Sequence, residues 1–326
     1  MRIALDAMGG DRAPEVTVQG ALLAAREGVE VLLVGEEERL KATLARFGGR
    51  LPIHHAPDWI PMEEHATEVR KRRESSIWVA MELLKRKEVE AVVSMGHTGA
   101  TMAAALFVLG RVRGVERPAL LVEFPSLKGR TFLLDGGANA DCRPPFLVQF
   151  AAMGLAYAEA SGVAHPKVGL LSIGEEEGKG NALVLEAYPL LRAALGERFF
   201  GNVEGRDIFL GTAEVVVTDG FTGNVALKLA EGEAKALFTW IKEAFASSPW
   251  ARLGALLARG ALRRVKARVD PSQYGAMPLL GVEGAVFVGH GSADALAVKN
   301  ALLRAKALVE AGLLARVREA LAALHV

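Results

Sequence analysis

Short apolar runs alternate along this chain with longer stretches of helical period. Arg2 to Asp6, Val29 to Val34, Leu51 to His55, Val89 to Ser94, Pro118 to Glu123, Arg130 to Leu134, Lys167 to Ser172, Val215 to Val217 and Ala285 to Val288 read as strands. Pro14 starts a helix, and Glu36 to Phe47, Ile77 to Leu84 and Thr101 to Leu109 continue the helical set. Pro144 and Pro145 open another that runs to Ala160, since a proline in the first helical turn loses no hydrogen bond. A helix follows Asn181 to Ala194, and long patterns run from Val225 to Ala246 and from Trp250 to Arg268. Ala295 to Glu310 and Leu313 to Leu324 close the chain. Strand and helix alternate, so the pattern predicts an α/β protein. No repeat or low-complexity linker marks a boundary, so residues 1–326 form one α/β unit or two lobes around a cleft.

One stretch imitates a membrane span. Ala91 to Gly110 lacks Asp, Glu, Lys and Arg over about twenty residues, the usual spanning length. Ser94, Gly96, His97, Thr98, Gly99 and Thr101 interrupt it, so it reads as a buried strand, a turn and a buried helix.

Several strands end in the same kind of turn. After Leu5, Val93, Leu134, Leu171, Val217 and Val288 come glycines mixed with Asp, Asn, Thr or His, then a helix. In open α/β sheets ligands gather at these carboxyl ends. Glycine admits a ligand close to the backbone, and a helix start aims several N–H groups one way, which suits phosphate. The clearest case is Thr218-Asp219-Gly220-Phe221-Thr222-Gly223-Asn224. The same arrangement is also ordinary punctuation in α/β proteins, so one such turn is weak evidence alone.

Composition narrows the chemistry. The chain is 51% hydrophobic with net charge +1, so no overall field recruits nucleic acid. The single cysteine, Cys142, excludes an intrachain disulfide and fits a reducing compartment. The apolar core of the first residues is too short for a secretory signal, and Asp6 interrupts it. Local charge clusters at Arg70-Lys71-Arg72-Arg73, either a solvated face or a docking patch for an acidic partner. Ser75 and Ser76 follow, placed to cap the next helix or to touch phosphate. In the segment from Trp250 to Arg268, Trp250, Leu253, Leu257 and Ala261 share one face. Arg252, Arg259, Arg263 and Lys266 share the opposite one, with Arg264 on the apolar side. Such a helix can lie on an anionic membrane, or pack on its own protein or a second subunit.

Familiar motifs are missing. There is no GxxxxGK[ST], no strict GxGxxG after a strand, no GxSxG and no zinc spacing. His54 and His55 face opposite sides of a strand and share a metal poorly. No metal site or cofactor is therefore expected. What remains suits a reaction whose substrate brings its own nucleophile, such as inorganic phosphate. The protein must then hold phosphate, hold an activated carbonyl and stabilise the oxyanion. Lys179, Asn224 and the turn amides are of the right chemical types.

At these residues the chain resembles the bacterial phosphate acyltransferases of phospholipid synthesis, the PlsX family. The resemblance rests on Asp6-Ala7-Met8-Gly9-Gly10-Asp11, Ser75-Ser76, Thr98-Gly99-Ala100 and Asp135-Gly136-Gly137-Ala138-Asn139. It continues through Gly174-Glu175-Glu176, Lys179-Gly180-Asn181, Asn202-Val203-Glu204, the Thr218 to Asn224 stretch and His290-Gly291-Ser292 with Asp294. It implies transfer of a long-chain acyl group from acyl carrier protein to phosphate. It implies a three-layer α/β/α, Rossmann-like fold like the isocitrate and isopropylmalate dehydrogenases, without their nicotinamide. It further implies a homodimer, cytoplasmic, with peripheral contact to the inner membrane face and the downstream glycerol-phosphate acyltransferase that uses acyl phosphate. Residues 247–268 would be a protruding tip, with Trp250, Leu253, Leu257, Arg259 and Arg263 toward a membrane or acyl chain.

On this resemblance Lys179 and Asn224 are the expected catalytic residues. Gly9, Gly10, Ser75, Ser76, Thr98, Gly99, Asn139, Asn181, Asp219, Gly220, Thr222, Gly223 and His290 are the expected phosphate- and substrate-binding set. Arg70, Lys71, Arg72 and Arg73 would meet the acidic carrier. His97 stands where the family often has Asn, and Ala276 where it often has a second Gly. The rivals are a short-chain phosphate acetyl- or butyryltransferase using coenzyme A, a nicotinamide-dependent dehydrogenase and a non-catalytic membrane scaffold.

Overall fold

In the computed structural model, which describes residues 1–270, 273 and 275–324, the strands form two sheets rather than one. Tyr274, two residues before Ala276, lies outside the described residues. The first sheet has the order β3 (Ile53–His55), β2 (Glu30–Gly35), β1 (Arg2–Asp6), β4 (Ala91–Ser94), β12 (Val286–Gly289), β11 (Ala276–Leu280), β5 (Ala119–Leu120). Its strands are parallel from β3 through β12, and β11 runs against both neighbours. The second sheet has the order β6 (Val122–Ser126), β7 (Gly129–Leu134), β10 (Val215–Val217), β8 (Val168–Leu171), β9 (Phe199–Val203). Only β6 is antiparallel there.

The single strand expected over Pro118 to Glu123 is therefore two. Its apolar run is buried throughout, and periodicity cannot reveal that Leu121 is where the chain leaves one sheet for the other. The Leu121 N–H donates to the Pro278 carbonyl at 3.1 Å, which stitches the crossing point to β11. β11 itself was not foreseen, because an internal proline argues against a strand flanked on both sides. The short helix α7 (Gly205–Leu210) and strand β9 were missed as well.

One hydrophobic core serves both sheets. Ile3, Leu5 and Val93 of the first share a cluster with Phe132, Leu134, Val215 and Val217 of the second. Helix α5 (Pro144–Ala160) lies in it and is apolar nearly all round, as a helix buried on all sides must be. A polar knot crosses the same region. Glu123 of β6 is almost wholly buried and accepts a hydrogen bond from the Tyr157 hydroxyl at 2.5 Å. Arg304 of α10 (Ala295–Glu310) and Arg130 of β7 pair with the two oxygens of that carboxylate. Burial raises the Tyr157 pKa, which keeps the hydroxyl a donor.

Ala91 to Gly110 is β4, a turn and α4 (Thr98–Val108). No helix among the described residues is long and apolar enough to cross a membrane. Two long helices behave differently from the rest. α8 (Gly220–Ala246) buries only Gly220, Gly223 and Leu227, and α9 (Pro249–Val269) buries nothing. Trp250 and Leu257 are 82% and 81% exposed, an uncovered apolar surface of the kind that marks an interface.

Candidate active site

β7, β10 and β8 lie side by side and parallel, with Val217 level with Leu134 and Leu170. The turns that follow them therefore open at one edge. After β10 the helix starts at Gly220, five residues earlier than its apolar period suggests, because glycines blur the pattern. Asp219 caps it, accepting the Thr222 N–H at 2.7 Å on one oxygen and the Thr222 hydroxyl at 2.9 Å on the other. The Gly220 N–H donates to the Asn139 carbonyl at 2.7 Å and the Gly223 N–H to the Asp219 carbonyl at 2.9 Å. The amides of Gly220, Thr222 and Gly223 thus have acceptors within the protein.

The two glycines serve packing. A Cβ on Gly223 would fall 1.8 Å from the Asp135 carbonyl oxygen, and one on Gly220 would fall 2.5 Å from that of Asn139. Only glycine lets the helix start press on the turn after β7. That turn is itself closed. Asp135 accepts the N–H groups of Leu120, Gly137, Ala138 and Asn139 at 2.7 to 3.1 Å, and the Asn139 side-chain amide at 2.9 Å. Burial raises the Asp135 pKa, while these donors lower it and match only the ionised carboxylate. The sister turn from Gly136 to Asn139 thus has its amides committed. Asn224 remains exposed and spends one amide hydrogen on the Gly136 carbonyl at 3.2 Å.

The turn after β8 carries Lys179. Ser172 donates its hydroxyl to the Lys179 carbonyl at 3.0 Å, and Asn202, buried below, donates to the carbonyls of Glu176 and Lys179. The loop is held by its backbone, leaving the Lys179 side chain exposed and, among the described residues, with no ion pair. Asn181 accepts the Val184 N–H at 3.0 Å and caps α6 (Ala182–Leu195), so it orders the loop's exit. Glu175, Glu204 and Asp207 lie close enough to share a cation. Yet Arg206 pairs with the first two, while Glu204 and Asp207 cap α7 reciprocally.

The remaining expected residues sit at the edge of the first sheet. Buried Asp6 accepts hydroxyls from Ser76 at 2.6 Å and Ser94 at 2.8 Å, and Gly9 packs against it. Ser76 is thus anchored inside. Ser75 occupies the cap position of α3 (Ser76–Lys85) without capping it, and its buried hydroxyl has no partner among the described residues. The His97 Nδ1 accepts the Ala100 N–H at 3.1 Å, so His97 caps α4 as an Asn would, with Thr98 and Gly99 in the first turn. Gly10 lies in the adjoining turn, where the Asp11 N–H donates to the Gly291 carbonyl at 2.9 Å. His290, just after β12, meets Glu231 of α8 at 3.0 Å. That contact joins the two sheet edges two turns beyond Asn224, and no motif marks Glu231 in advance.

The basic run is less available than its sequence suggests. Arg72 is tied to Asp58 and Glu64, and its hydrogen bonds hold the Asp58 carboxyl below the usual range. Lys71 pairs with Glu68. Arg70 and Arg73 lie over the rings of Phe107 and Trp78, and both are exposed. Arg72 is thus a structural member of the set.

Cys142 is no nucleophile, since burial pushes its thiol up to about 12. A disulfide reagent at pH 8 is expected to modify it at least about a hundredfold more slowly than free cysteine, because only the thiolate reacts. Thiol titration of the native and denatured protein checks this.

The fold is shared with acyl-transferring and dehydrogenase proteins. A phosphotransacetylase from Streptococcus pyogenes superposes with a TM-score of 0.65 at 18% identity, over 95% of this chain and 94% of that one. A 4-hydroxythreonine-4-phosphate dehydrogenase from Klebsiella pneumoniae gives 0.58 at 14% identity, over 94% and 99%. The architecture is the isocitrate dehydrogenase-like α/β fold that the resemblance implied. A family model described as "Fatty acid synthesis protein" matches residues 1–316. A phosphate acyltransferase of Thermus thermophilus is 83% identical over 326 residues, the whole of both chains. This chain belongs to the phosphate acyltransferase family.

Proposed function

We propose that this enzyme moves a long-chain acyl group from acyl carrier protein to inorganic phosphate, giving acyl phosphate and free carrier. What supports this reading is that Lys179, with no ion pair among the described residues, and Asn224 are both exposed on the turns that follow adjacent parallel strands, while the pKa of the Cys142 thiol is raised by burial. A phosphate oxygen attacks the thioester carbonyl and forms the C–O bond. Lys179 and Asn224 stabilise the oxyanion of the tetrahedral intermediate. Its collapse breaks the C–S bond, and the carrier thiolate takes a proton from solvent. Phosphate supplies the nucleophile, so neither metal nor cofactor is required by this scheme.

Two exposed apolar side chains flank the polar edge, Ile173 (81%) after β8 and Phe221 (66%) at the start of α8. They fit the acyl chain next to the thioester. Phe221→Ser is expected to raise KM for a palmitoyl donor about tenfold, the worth of roughly 1.4 kcal/mol of apolar contact, and to leave an acetyl donor unchanged. Arg70 and Arg73, with exposed Arg259 and Arg263 of α9, suit an acidic carrier. The uncovered faces of α8 and α9 suit a homodimer and, at Trp250, Leu253 and Leu257, the inner face of the membrane. On this reading the enzyme works in the cytoplasm beside the acyltransferase that consumes acyl phosphate.

Short-chain phosphotransacetylases share the fold, so an acyl-donor panel is the test. Faster turnover of long acyl-carrier substrates than of acetyl-coenzyme A supports the proposal. The reverse order overturns it in favour of the short-chain reading.

A further inference from the structure

We infer that Asp135 is a positioning residue for the transfer reaction, acting through Asn224; this rests on the role proposed for Asn224. Asp135 is 0% exposed, so it acts only through its neighbours. Its carboxylate gathers the Leu120 N–H from the sheet crossing, the N–H groups of Gly137, Ala138 and Asn139, and the Asn139 side-chain amide.

Two consequences reach Asn224. First, the folded turn presents the Asn139 carbonyl to the Gly220 N–H at 2.7 Å, and Gly223 rests on the Asp135 backbone, so the turn seats the first turn of α8. Second, it presents the Gly136 carbonyl to the Asn224 amide at 3.2 Å. One carboxylate therefore fixes both the helix that carries Asn224 and the hydrogen bond that orients its side chain. Each hydrogen bond it makes is with a donor, so the charge is matched without any acid–base role. A displacement of about 1 Å at an oxyanion donor costs about a hundredfold in rate.

A double-mutant cycle separates positioning from mere support. Asp135→Asn keeps the shape but turns an NH2 toward N–H groups. We expect it to lower kcat for acyl transfer about a hundredfold, with KM for phosphate changed less than about threefold, and to lower the melting temperature. In the Asn224→Ala background the same substitution should cost kcat less than about threefold, while the melting temperature falls as before. A residue that only supports the fold would give equal kcat losses in both backgrounds. If Asp135→Asn does not fold, Asn139→Ala removes one donor to the carboxylate and keeps the carbonyl that seats Gly220. Its expected loss is about tenfold in kcat, again confined to the background that retains Asn224. Multiplicative losses in the cycle overturn the inference alone. Wild-type kcat for Asn224→Ala by itself overturns the role of Asn224 and the inference with it.

Discussion

Lys179→Ala is expected to lower kcat for phosphate-dependent acyl transfer by about 10²- to 10³-fold, the usual cost of deleting one oxyanion donor. Asn224→Ala should fall in the same range. The structure gives a reason to read these losses as chemistry. The Lys179 loop is held by Ser172 and Asn202 through backbone carbonyls, so its side chain can go without loosening the loop. Among the described residues its ammonium forms no ion pair that would be broken. The melting temperature of Lys179→Ala should stay within about 2 °C of wild type, since exposed sites away from special features cost within about 0.5 kcal/mol. Asn224→Ala leaves one carbonyl, that of Gly136, without its side-chain partner, which costs about 1 kcal/mol. Steady-state kinetics with calorimetry on both variants check this. Turnover near wild type in both would remove them from the reaction.

Glu123→Ala is expected to destabilise the protein by about 3–5 kcal/mol while leaving the reacting groups untouched. The Glu123 side chain is 6% exposed and holds Arg304, Arg130 and the Tyr157 hydroxyl together. Removing it strands two guanidinium groups at the junction of the sheets. A surface pair such as Arg192 with Glu177, 58% and 60% exposed, should cost less than about 1 kcal/mol when broken. Denaturant titration of both variants separates the cases. A loss below about 1 kcal/mol for Glu123→Ala would mean that solvent reaches this knot.

The alternation of apolar runs and helical periods was enough to place most strands and all the long helices. The two-sheet arrangement was hidden because Leu121, where the chain crosses, lies inside an unbroken apolar run. β11 was hidden by Pro278. The family motifs led to Lys179 and Asn224, and both stand at one sheet edge. Their neighbours were harder to assign. Gly220 and Gly223 have the residue type of an anion cradle and also make close backbone contacts, while Asn139 donates to Asp135. A glycine chosen for close backbone contact and one chosen for ligand approach look the same in sequence. Arg72 looks like its neighbours in a basic run, and only the fold brings Asp58 and Glu64 to it.

The most direct measurement incubates a palmitoyl carrier protein with the enzyme and follows the freed carrier thiol as phosphate is varied. Release should saturate with phosphate, stop without it and yield palmitoyl phosphate in equal amount. Release at the same rate without phosphate, or none with it, would contradict direct attack of phosphate on the thioester.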